Sequence, residues 1–117
     1  GRFVLADVDA RSPVARFLDG FVDRHNSTGH RGRYLDDTTV ADLEAAGFAV
    51  TRQGGERYAW WFDDRREAAE FCRLLFDLRH ATVPAIVEAL AQCPGFSEEP
   101  GRCGLNWDLA VFAATRA

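Results

Sequence analysis

Phe3-Val4-Leu5-Ala6-Asp7-Val8-Asp9 is a short, nearly unbroken apolar run that turns acidic at its C-terminal end. A run of this kind reads as a strand covered on both faces, as in a largely parallel α/β sheet. The next segment is helical. Ser12 is a capping residue and Pro13 stands at the first helical position. Val14, Phe17, Leu18, Phe21 and Val22 then recur at i, i+3, i+4, i+7 and i+8, one face of a helix that runs to about His25 and stops at Asn26-Ser27-Thr28-Gly29.

The pattern repeats along the chain. Past the polar loop His30-Arg31-Gly32-Arg33-Tyr34, Asp37-Thr38-Thr39 supplies caps for a short helix carrying Val40, Leu43 and Ala46, closed by Gly47. Phe48 to Arg52 reads as a second strand and Gly54-Gly55 as a break. Arg57 to Phe62, rich in aromatic residues, reads equally as an extended continuation or as the return arm of a hairpin across the two glycines. Asp63-Asp64 then caps a helix with Ala68, Phe71, Cys72, Leu75 and Phe76 on one face. Thr82 caps another, opening at Val83-Pro84 and closing near Cys93-Pro94-Gly95. Phe96 to Gly104 has loop composition, and Leu105 to Ala114 is a terminal strand with Leu105, Trp107, Leu109, Val111 and Ala113 on one face. Strand, two helices, strand, two helices, strand predicts one α/β domain over residues 1–117.

Composition narrows the class. The 117 residues carry 14 basic side chains, all arginine, against 18 acidic ones, a net charge of −4. Such a balance offers no general basic field for nucleic acid. No stretch approaches the roughly 18 apolar residues of a membrane span, and the first ten residues lack the basic head and apolar body of a signal segment, so a cytoplasmic chain is expected. The three cysteines, odd in number and without C-x-x-C spacing, fit reduced thiols, with a Cys93–Cys103 bridge as the other reading. The chain has no methionine and starts at Gly1, which predicts a piece of a longer polypeptide.

Gly1-Arg2-Phe3-Val4-Leu5-Ala6-Asp7, followed by a helical stretch and then Val40-Ala41-Asp42-Leu43-Glu44-Ala45-Ala46-Gly47-Phe48-Ala49-Val50, resembles the C-terminal half of a class I S-adenosylmethionine-dependent methyltransferase. In that family a turn ending in glycine leads into the fifth strand, and a helix ending in Leu-x-x-Ala-Gly-Phe leads into the sixth. Leu105 to Thr115 resembles the seventh strand, which runs antiparallel between those two. The resemblance implies a three-stranded mixed sheet of a Rossmann-like fold, in the order first, third, second, with the last strand antiparallel in the middle and about four helices around it. It makes the helices at 65–79 and 84–92 an insertion. The family's acidic-flanked, glycine-rich loop after its first strand, which holds the cofactor, has no counterpart here: neither Gly54-Gly55 nor Gly29-x-x-Gly32 stands between a strand and a helix. The expectation is a fragment lacking the cofactor-binding half, with S-adenosylmethionine serving the parent enzyme, a small-molecule methyl acceptor, and no cofactor bound by these residues alone.

Ligands in open α/β sheets lie outside the carboxyl ends of parallel strands, which makes Asp7 and Asp9 candidates for the border of a substrate pocket. His25, His30, Arg31 and Tyr34 form the densest polar stretch and offer imidazole, guanidinium and phenol groups for an anionic substrate or a proton. Trp60 is the candidate aromatic wall, because Trp60 and Trp61 in a strand face opposite sides. No residue set has the spacing of a metal site. A reading from another class is a non-catalytic binding or dimerisation module, pairing with the missing N-terminal half or with a second copy through the Phe3–Val8 strand edge.

Overall fold

In the computed structural model, which describes residues 1–117, three helices start where their caps stand. The Ser12 hydroxyl accepts from Ala15 N at 3.1 Å, the Asp64 carboxylate from Glu67 N at 2.8 Å and the Thr82 hydroxyl from Ala85 N at 3.2 Å. Glu67 reaches back to accept from Asp63 N at 2.6 Å, closing a reciprocal cap. The helical rods are α1 (Pro13–Phe17), which continues through a π-helical turn (Leu18–Val22) into α2 (Asp23–His25), then α3 (Thr39–Ala45), α4 (Arg65–Leu75) and α5 (Val83–Gln92). The start of α3 departs from expectation: Thr38 makes no capping bond, and Thr39 Oγ1 instead accepts from Asp36 N at 3.0 Å. Gly47, at φ +92°, ends that helix in the left-handed region that favours glycine.

Six strands form two sheets: β1 (Arg2–Asp7), β2 (Phe48–Glu56), β3 (Ala59–Phe62), β4 (Phe96–Glu99), β5 (Arg102–Asn106) and β6 (Leu109–Arg116). The first sheet has the order β1-β6-β2, so the expected order and the central antiparallel strand are both present, but every pairing in it is antiparallel and the sheet is not the mixed one expected, because β6 separates the two strands that share a direction. The second sheet, β3-β5-β4, is antiparallel throughout and was not expected. The two sheets together correct three readings. Gly54-Gly55 is no break, because β2 continues through both to Glu56. The aromatic segment pairs with β5 rather than folding back on β2. Phe96 to Gly104 is a hairpin turning at Gly101, φ +78°, and not a loop.

The terminal segment is also two strands. The chain leaves the second sheet after Asn106 and enters the first at Leu109, with Trp107 N donating to Tyr58 O at 2.8 Å on the way. The crossing shifts the alternation. Leu105 and Trp107 are buried in the second lobe, the β3-β5-β4 sheet with α4 and α5, whereas in the first sheet Ala110, Phe112 and Ala114 are buried and, of the expected face, only Ala113 is, Leu109 and Val111 being half-buried. A two-residue period carries across a segment only while the segment stays in one sheet.

The main core lies between the α1–α2 rod and the second lobe. Phe17, Leu78, Ile86, Leu90 and Leu105 are fully buried there, with Cys72 among them. The first sheet is covered on one face only, which corrects the expectation of a strand buried on both sides. Leu5, opposite Phe112, faces the covered side, while Val4 is 60% exposed on the other. All three cysteines are free, and burial pushes the Cys72 thiol up to about 12, away from reactivity. No helix is long and apolar enough to cross a membrane.

Candidate functional site

β1 and β2 run parallel to each other on either side of β6, and both end over its beginning. Asp7 faces Ala110 from one side and Gly55 faces Ala110 from the other. The loop before α3 returns to this end of β1, where Leu35 N donates to Val8 O at 3.0 Å and Ala10 N to Leu35 O at 2.8 Å. An open cleft of about 520 Å³ lies here, with Asp9, Arg11 and Ser12 on one wall, Gln53 to Arg57 on the other, Asp108 at the end, and Ala110 and Phe112 in the floor.

A β-bulge decides what the second wall presents. Val50 pairs with Ala114 and Arg52 with Ala113, leaving Thr51 unpaired between them, its hydroxyl donating to Ala113 O at 3.2 Å. Beyond the extra residue, Gln53 and Gly55 oppose Phe112 and Ala110. Without it, Arg52 and Gly54 would take the cleft face. Gly55 leaves the floor open, since a Cβ there would meet only Leu109 O at 3.8 Å, an ordinary contact.

The charges around the cleft are unequally engaged. Arg11 is paired with Asp37, and Glu56 with Arg52 at 2.7 Å, both away from the floor. Asp9 accepts only a backbone bond, from Arg11 N at 2.8 Å. Asp108 and Arg57 take part in none of the molecule's ion pairs.

A second polar group lies on the outer side of the α1–α2 rod. Tyr34 Oη donates to Asp19 Oδ1 at 2.6 Å, and His30 Nδ1 stands 3.4 Å from the same phenol and 3.9 Å from Asp19. The two rings lie nearly parallel, 6.3 Å apart. Gly32 fits beside them because a Cβ would sit 2.8 Å from Tyr34 Cε1 and 2.9 Å from His30 Cε1. His30 N also donates to Asp23 Oδ1 at 2.8 Å, fastening the loop to the rod.

Burial first, then the hydrogen bond and charge of Asp19, then the charge of Asp7, raise the Tyr34 phenol well above its ordinary 10.0. A folded-state value above the unfolded one means that the native state holds this proton more tightly. Its contribution to stability is complete below about pH 10 and falls as pH rises through the folded value. In alkaline ultraviolet titration Tyr34 should ionise above the ordinary phenol range. In Asp19→Asn its phase should move down toward the ordinary value, and an unchanged phase would dissociate Asp19 from the effect.

The sequence-predicted residues thus fall into separate places. Asp9 lines the cleft. Asp7 accepts from Val8 N at 2.7 Å and its charge reaches Tyr34. His30 and Tyr34 come together, but His25 lies apart with its ring 4.2 Å from Phe21. Arg31 is exposed and makes no ion pair. Trp60 packs inside the second lobe, stacked on Trp107 at 4.3 Å. Four participants were missed. Asp19 and Asp23 stand four apart on the polar face of the helix, a spacing that could have marked them as partners for the following loop. Arg57 and Asp108 had no such signal, because their meeting depends on the bulge and on the crossing between sheets. No family model, curated protein or solved structure matches the chain.

Proposed function

We propose that this chain is the acceptor-side portion of an S-adenosylmethionine-dependent methyltransferase acting on a small molecule. The observation that carries the reading is the first sheet: two strands of one direction flank a final antiparallel one, and the connection between them passes through the α1–α2 rod and then α3, which leads into β2 through Leu43-Glu44-Ala45-Ala46-Gly47-Phe48. That order and that phrase are the ones the resemblance implies. In this reading the cleft at the carboxyl ends of β1 and β2 receives the acceptor, and its residues serve by holding the acceptor atom in line for transfer. The residues present do not fit the cofactor itself. Gly54-Gly55 is internal to β2, and Gly32 is packed against His30 and Tyr34, so neither offers a glycine-rich turn between strand and helix. The cofactor is assigned to other residues of a longer polypeptide.

The test is label transfer from S-adenosylmethionine to a panel of small acceptors by the polypeptide encoded by the complete reading frame. Calorimetry with S-adenosylhomocysteine on the 117 residues runs beside it. The expected outcome is turnover in the former and no binding heat in the latter, with Asp9→Asn reducing turnover about tenfold, the loss of one positioning contact. Absence of label transfer to any acceptor, or cofactor binding by the 117 residues, would sink the reading.

A second reading, a non-catalytic dimerisation module, is favoured by β1 itself. It is an edge strand paired only with β6, and Phe3 and Val4 on it are exposed. In light scattering, a monomer at high micromolar concentration would count against it.

A further inference from the structure

The two walls of the cleft meet in one row. Asp7, Ala110 and Gly55 lie side by side across β1, β6 and β2; two residues after Asp7 and Gly55 and two before Ala110 stand Asp9, Arg57 and Asp108, each just outside its strand and all three in the lining of the cleft. All three belong to the lining of the same cleft as Ala110 and Gly55. Arg11 and Glu56 are neutralised by Asp37 and Arg52, so the charges left for a ligand are two carboxylates and one guanidinium. Beneath them the floor is apolar, formed by Ala110 and Phe112 and left open by Gly55.

We propose that the cleft binds a small zwitterion with an apolar body: an ammonium group between Asp9 and Asp108, a carboxylate on Arg57, and a hydrocarbon portion over Phe112 and Ala110. The assignment rests on the acceptor-side reading for its functional meaning and on the cleft alone for its chemistry. One observation and two physical arguments make the ligand a zwitterion and not a simple cation. Arg57 stands in the same lining as the carboxylates yet forms no ion pair with either. A guanidinium matches a carboxylate bidentately. A lone cation would leave that guanidinium unmatched within the binding site, the unfavourable element that gives specificity.

The experiment is a titration of the protein, followed by calorimetry or by amide shifts, with three probes of one shape: L-phenylalanine, phenethylamine and 3-phenylpropanoate. L-Phenylalanine should bind at least tenfold more tightly than either singly charged probe. Asp108→Asn should abolish its advantage over 3-phenylpropanoate, and Arg57→Gln its advantage over phenethylamine. Gly55→Leu, whose added atoms enter open space, should block all three while the circular dichroism spectrum stays unchanged. Equal affinity for the three probes, no binding of any, or an advantage that survives both charge substitutions would overturn the proposal. Probe binding needs no methyl donor, so the two readings fail separately. Zwitterion binding with no label transfer by the complete polypeptide would remove the methyltransferase reading alone, and methylation of a neutral acceptor without zwitterion binding would remove this one alone.

Discussion

Phe17→Ala should lower the free energy of unfolding by about 3–5 kcal/mol, read as a fall in the midpoint of a urea transition with unchanged slope. Phe17 is 1% exposed, and its ring has aromatic neighbours from three parts of the chain. Phe21 stacks on it at 5.9 Å, and Phe76 and Trp107 meet it edge-on at 6.1 and 6.5 Å. Truncation removes the transfer energy of the ring and leaves a cavity whose walls belong to a helix rod, the end of α4 and the crossing between the sheets, which cannot all close in together. Against a total of about 5–15 kcal/mol for a domain of this size, that is a large share. Phe3→Ala is the control. Phe3, partly exposed on β1, touches Phe48 at 5.5 Å and should cost about 1 kcal/mol. Equal losses from the two would mean that the stabilising core lies under the first sheet, contrary to the observed burial.

How far such a core is legible beforehand depends on which signals are local. Ser12, Asp64 and Thr82 act within three residues of themselves, and the helices they start were readable from spacing alone. The order of the first sheet was readable through resemblance, because Leu43 to Phe48 joins a helix to a strand in a recognisable phrase. The second sheet was hidden. Its strands β4 and β5 are rich in Glu, Ser, Gly and Arg, which is loop composition, and they pair because the cross-strand partners Phe96 and Leu105 join the buried core while Ser97, Glu98 and Glu99 stay exposed. Nor does composition reveal that a chain changes sheets at Trp107, although that change sets which residues of β6 are buried. The candidate site divides along the same line. Asp9 was readable as the end of a strand, while Asp108 and Arg57 reach it through a sheet crossing and a bulge, both consequences of tertiary pairing.

Trp107 stands at the crossing between the sheets. The indole is 7% exposed, stacked on Trp60 at 4.3 Å and on Phe76 at 5.8 Å, with Phe17 at its edge. Trp107→Ala should therefore cost about 3–5 kcal/mol, similar to Phe17→Ala. The two losses should not add. Residues in contact share part of their energy, so the double variant should be more stable than the sum of the single effects by about 0.5–1.5 kcal/mol, the range of an edge-on aromatic pair. Trp107→Phe, which keeps an aromatic ring in the stack, should restore most of the loss. The substitution carries a further consequence that Phe17→Ala does not share. Trp107 N is held to Tyr58 O, and Asp108 is the next residue, so the stacked indole fixes the turn that brings Asp108 into the cleft with Asp9 and Arg57. At a temperature where both variants remain folded, Trp107→Ala should weaken L-phenylalanine binding about tenfold while Phe17→Ala leaves it near the parent value. Equal binding by the two variants would show that the crossing only stabilises the fold and does not position the cleft.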